Sequence, residues 1–101
     1  MASTLILGTA QKAAAAQLRV PCDFGNEPLF KAGYTASSYG VSTPAGSGNP
    51  TISGVQLDYP YQVSGLISGG TAGNAYNITY TVTMNDPDGT VYTGVGVLQV
   101  L

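Results

Sequence analysis

The clearest pattern in the chain is the alternation over Ala75–Met84, where Tyr76, Ile78, Tyr80, Val82 and Met84 are separated by Asn77, Thr79, Thr81 and Thr83. A period of two puts every large side chain on one face of a β-strand. Asn85-Asp86-Pro87-Asp88-Gly89 follows with turn chemistry. Thr90–Leu101 then alternates again, Val91, Val95 and Val97 against Tyr92, Leu98 and Val100. The two runs predict a C-terminal β-hairpin. Gly94 and Gly96 leave part of the second face without side chains, which predicts a bulge or a close neighbouring backbone.

Shorter β runs occur at Gln17–Cys22, Thr35–Ser42, Thr51–Leu57 and Tyr61–Ile67, separated by Pro or Gly clusters. About seven short strands with frequent turns predict an all-β fold, a single antiparallel two-sheet sandwich. The segment Thr43–Pro50 is too small and polar to pack and reads as an exposed loop. Residues 1–16 stand apart as an N-terminal arm or linker, with the sandwich over 17–101. Leu5-Ile6-Leu7 requires burial, while Gln11–Leu18 has the composition of one or two helical turns, too few to hold a helix alone. An extended arm ending in a short helical or irregular link fits the same residues.

Composition narrows the function. The 101 residues carry 3 Lys+Arg, 5 Asp+Glu and no His, a net charge of −2, and charged residues are only 8% of the chain. No base follows Lys31, so a nucleic-acid or peripheral membrane surface, which needs a basic patch, is not expected. Without His and with Cys22 as the one cysteine, the chain lacks the parts for a Cys/His zinc site, a Ser-His-Asp triad or an internal disulfide. No apolar run approaches a membrane span or a signal h-region, so the chain reads as unexported.

The remaining motifs have structural readings. Asp86-x-Asp88-Gly89 resembles part of a Ca²⁺ loop, but the completing acid after Gly89 is missing, and a hairpin turn explains the run. Asn77-Ile78-Thr79 is a glycosylation sequon placed mid-strand. Gly65, Gly69, Gly70 and Gly73 have no following Lys for a phosphate cradle, so they read as a turn between strands. Asp23, Glu27 and Asp58 are expected as caps, turn ligands or solvated charges rather than an acid–base pair, and Cys22 as a small buried hydrophobe. No cofactor and no metal are expected.

The seven Tyr, set among Ser, Gly and Asn, give the chain a paratope-like composition. Tyr59 and Tyr61 flank Pro60 and are expected at a partner interface. Leu5, Ile6 and Leu7 are expected to dock the arm on a neighbouring subunit. Ser42–Asn49 and Leu57–Gln62 are expected to form a second contact surface.

Ser68-Gly69-Gly70-Thr71-Ala72-Gly73-Asn74-Ala75-Tyr76-Asn77-Ile78-Thr79 resembles the S-G-G-T-A-G-x-x-Y-x-[IV]-T signature of small tailed-bacteriophage virion proteins, the fibre-tail adaptor family. Asp23-Phe24 with Leu29, and Ser37-Ser38-Tyr39, resemble the family's acidic-aromatic start and its Ser-x-aromatic strand. The similarity spans about residues 20–101 and is strongest over 61–90. Departures are Pro28 and Tyr39, where members carry Trp, and an uncharged last strand where theirs is basic.

The resemblance implies an immunoglobulin-like β-sandwich acting as a non-enzymatic structural piece of a phage particle. It implies a neck or tail adaptor, made in the host bacterial cytoplasm and carried in the virion. Its expected partners are other virion proteins, fibre components included, and copies of itself in a ring, with no nucleic acid and no membrane. Two rival readings use the same sandwich: a capsid decoration or stabilising protein, and a carbohydrate-binding or adhesin module.

Overall fold

In the computed structural model, which describes residues 4–44, 46–58 and 61–101, the alternation of Ala75–Met84 is realised residue for residue. Tyr76, Ile78, Tyr80, Val82 and Met84 are buried in the core. The strands are β1 (Thr4–Lys12), β2 (Gln17–Asp23), β3 (Ala36–Ser42), β4 (Pro50–Asp58), β5 (Gln62–Gly69), β6 (Ala75–Met84) and β7 (Val91–Val100), with one short helix, α1 (Pro28–Lys31), between β2 and β3. One sheet has the order β1-β7-β6-β3 and the other β2-β5-β4. Seven strands so ordered in two facing sheets form an immunoglobulin-like β-sandwich. β6 and β7 make the expected hairpin, and every pairing is antiparallel except that of β1 with β7.

That parallel pairing corrects the reading of the N-terminal segment. Thr4–Lys12 is extended, as an arm would be, but it lies on its own sheet, with Leu5 opposite Gly94 and Ile6 opposite Val95. Leu5 and Leu7 pack against the core, and Ile6 points outward, 77% exposed. The helical alternative for Gln11–Leu18 is not taken. Ala13–Ala16 forms a turn, closed by the Ala16 N–H donating to the Ala13 carbonyl at 3.0 Å, and β2 begins at once.

Lys12 holds this turn together. It is 4% exposed, and its ammonium donates to the carbonyls of Ala13, Ala14 and Ala16 at 2.9, 3.2 and 3.0 Å. Three donors meet three acceptors, which offsets the cost of taking the charge out of water.

Gly94 and Gly96 sit on the inward face of β7 for lack of room. A Cβ on Gly94 would meet the Cys22 sulfur at 2.7 Å, and one on Gly96 would meet Leu7 Cβ at 3.2 Å. The close neighbours are thus mainly side chains, and the irregularity lies across from β7, where β1 shifts register between Ile6 and Thr9. The other outer strands are interrupted too: β3 between Ala36 and Ser38, β4 between Ser53 and Gln56, and β2 by Pro21. Bulges and prolines of this kind blunt sheet edges against unwanted strand pairing.

Candidate functional site

The groups best suited to covalent or acid–base chemistry are withdrawn or dispersed. Cys22 is buried, and its thiol is pushed up to about 12 by desolvation, aided by the nearby charges of Asp23 and Glu27. It therefore stays protonated and unreactive near neutral pH. Desolvation also raises the phenol of Tyr80, whose hydroxyl donates to the Val20 carbonyl across the sandwich. Asp23 and Asp58 both lie opposite Gln62 on β5, on its two sides, which puts them about 10 Å apart. An Asp23 carboxylate oxygen accepts the Gly25 N–H at 2.7 Å, and Asp58 accepts both bonds of the Gln56 amide at 2.9 Å. Among the described residues no three His, Cys, Asp or Glu gather into a metal-holding group.

The Asp86 carboxylate closes the β6–β7 turn. It accepts the Thr90 N–H at 2.8 Å and the Thr90 hydroxyl at 2.6 Å, and the hydroxyl bond is the main cause of its lowered pKa. Gly89 in the same turn has φ +61, a conformation for which glycine is suited.

The run Ser68–Thr79 is the corner between β5 and β6. Gly69, Gly70 and Gly73 have φ of +78, +97 and +88, so the turn expected from the sequence is present and requires glycine there, whereas Gly65, expected with them, lies inside β5, where a Cβ would meet Ile52 Cγ2 at 2.9 Å. The Tyr76 hydroxyl accepts the Thr71 N–H at 3.0 Å and donates to the Gly48 carbonyl at 3.3 Å, while the Thr71 hydroxyl donates to the same carbonyl at 2.9 Å. A tyrosine at the start of the sixth strand bonding back to backbone upstream is a tyrosine corner. It ties the β5–β6 corner to the β3–β4 loop.

The candidate site is an exposed surface at one end of the sandwich. There the β2–β3 connection, Tyr61 at the entry to β5 and the β6–β7 turn come together. Phe24 N–H donates to the Tyr61 carbonyl at 2.9 Å, and Phe30 and Tyr61 meet edge to face with ring centroids 6.3 Å apart. A Cβ on Gly25 would lie 2.9 Å from Tyr61 Cδ2, so glycine there lets the ring seat. Tyr61 is 37% exposed. It is held in place while still presenting an edge to solvent, a low-entropy contact group. Tyr59 lies outside the described residues.

The two segments expected to make one contact surface do not do so. Residues 43–49 precede β4 and Tyr61 follows it, at opposite ends of a nine-residue strand in a molecule 43 Å long. Of the N-terminal triplet, Leu5 and Leu7 serve the core of this chain, and Ile6 is the one open to a partner.

Two features had no signal in the sequence. On the outer face of the smaller sheet, Arg19 donates to the Gly54 carbonyl at 3.0 Å and to the Ser64 hydroxyl at 2.9 Å, and the Ser64 hydroxyl reaches Asp58 at 3.5 Å. Arg19 and Asp58 are 39 residues apart in the chain, so only strand register unites them. A cavity of about 280 Å³ opens between β1 and β2, with Leu7, Gly8, Val20 and Pro21 at its walls and Tyr80 and Leu98 among its lining. Gly96 also lines it, beneath the β1 bulge.

No family model and no curated protein matches the chain. Among solved structures it is similar to the crystal structure of the cysteine protease inhibitor EhICP2 from Entamoeba histolytica, at 13% identity and a TM-score of 0.48, with 95% of each chain covered. At that score the likeness carries no argument about what this chain does.

Proposed function

We propose that the protein is a non-enzymatic structural piece of a tailed-phage particle, an adaptor at the neck or tail that joins fibres or another component through protein contacts. The observation that carries the reading is the run Ser68–Thr79 and its resemblance to the adaptor signature. Its glycines and Tyr76 jointly build one corner of the sandwich. Two further features support it. The ionisable groups are spent on turns, buried or held apart, which suits recognition rather than turnover. Tyr61, seated on Gly25 and Phe30, is a pre-set contact group of the kind that anchors interfaces.

The test is immunogold electron microscopy of purified particles from a phage that encodes this chain. Label at the neck or tail in a few copies per particle is the expected result. Label spread over the shell would favour a decoration protein instead, and particles without the chain would overturn the structural reading altogether.

A further inference from the structure

Among the described residues, the outer face of the β1-β7-β6-β3 sheet carries no charged side chain. All eight Asp, Glu, Lys and Arg residues are placed elsewhere. Arg19, Asp23 and Asp58 lie on the outer face of the other sheet; Glu27 and Lys31 are in the β2–β3 connection. Asp86 and Asp88 are in the β6–β7 turn, and Lys12 is buried against the turn it organises. On the uncharged face β6 and β7 set Thr79 opposite Val95 and Asn77 opposite Val97, with Thr81 further along and Ile6 standing out on β1.

We infer that this face binds the same face of a second copy of the chain, in a two-fold pair whose axis passes near Thr79 and Val95. The absence of charge argues for a like partner. A charged surface laid on it would lose hydration and gain no counter-charge, whereas its own image brings nothing to repel. The acids responsible for the net charge of −2 then stay on the far sheet and in the connections.

Side-chain shape argues the same way. Thr, Val and Ile are stiff at χ1, so little rotamer freedom is lost when they are covered. Small, regular rows of them suit the roughly 10 Å spacing of aligned sheets. A two-fold contact must be self-complementary, and the row Asn77, Thr79 and Thr81 of β6 beside the row Thr93, Val95 and Val97 of β7 meets that condition without a special socket.

Size fixes how much of the face is used. Four strands about 4.8 Å apart and about 30 Å long have a flat projection on the order of 500 Å². A standard interface takes about 800 Å² of accessible surface per partner. The whole face is therefore needed for an interface at the small end of the range, and a partner engaging one strand would use only a fraction of it.

The inference does not rest on the adaptor reading, and its test uses the isolated protein. Sedimentation equilibrium of the full chain from micromolar to millimolar concentration should give a monomer–dimer equilibrium. Val95→Lys and Thr81→Lys should each weaken it about tenfold or more, the equivalent of about 1.4 kcal/mol, with thermal melting retained. Gln17→Lys, on the other sheet, should leave it unchanged. Thr79→Cys should cross-link the pair under mild oxidation, since Cys22 is buried. If Val95→Lys does not fold, Thr81→Lys and the cross-link still decide. A chain monomeric throughout, association running on past the dimer, or a dimer indifferent to both lysines would overturn the inference.

Discussion

The hydroxyl of Tyr80, on β6, donates to the carbonyl of Val20, on β2, at 2.9 Å, so a core side chain of one sheet hydrogen-bonds the backbone of the other. Tyr80→Phe keeps the ring and removes the donor. The expected cost is about 1–2 kcal/mol, seen as a drop of several degrees in Tm by thermal melting. An unchanged Tm would mean that water replaces the bond without loss.

Alkaline pH should act on the same place. Cys22 and Tyr80 both have folded pKa values raised above the ordinary thiol and phenol values, mainly by desolvation. The folded state therefore keeps protons that the unfolded chain has lost. Stability is fully present below the ordinary thiol value of 9.0 and falls as pH rises toward the folded values. Tm should be level to about pH 9 and decline beyond it. In Cys22→Ala the onset should move up by about one pH unit, to where phenols ionise. A Tm level from pH 8 to 11 in the parent would contradict the burial argument.

Val82 is fully buried on the inward face of β6. Val82→Asp places a carboxylate there without a partner, at a cost of several kcal/mol, comparable to the whole stability of a domain this size. Loss of the cooperative melt and of near-ultraviolet circular dichroism is expected. A parent-like melt would show the face to be misassigned.

Lys12→Met preserves the aliphatic stem and withdraws the ammonium from the Ala13, Ala14 and Ala16 carbonyls. Those acceptors then depend on water at the turn, and a loss of about 1–3 kcal/mol is expected from urea denaturation. Hydrogen exchange should quicken first in Thr4–Lys12, the strand leading into the turn. Uniform exchange with an unchanged midpoint would assign the lysine no such role.

Deleting residues 2–12 removes β1, strips Leu5 and Leu7 from the core and bares the edge of β7. The truncated chain should lose its cooperative melt or aggregate, because an unpaired flat edge invites strand addition. A stable, monomeric product would restore the idea of a separable arm.

The strands from Gln17 onward and the inward face of β6 were legible in the sequence because period-two alternation and Pro or Gly punctuation are local properties. So was the glycine turn at the β5–β6 corner. The partner of Thr4–Lys12 was not legible. It is a parallel strand near the other end of the chain, and no turn residue announces a pairing across such a separation.

The same reason hid the Arg19–Ser64–Asp58 contacts, the seat of Tyr61 on Gly25 and Phe30, and the separation of the 43–49 loop from Tyr61. Lys12 was hidden differently, since a lone lysine beside alanines reads as solvated until the turn folds back upon it. Local patterning by itself determined which residues form strands and which face of β6 is apolar. Only the tertiary structure decided which strands meet, which end of the sandwich each loop occupies, and which sheet face is left without charge, because register and strand order arise from contacts between residues far apart in the chain.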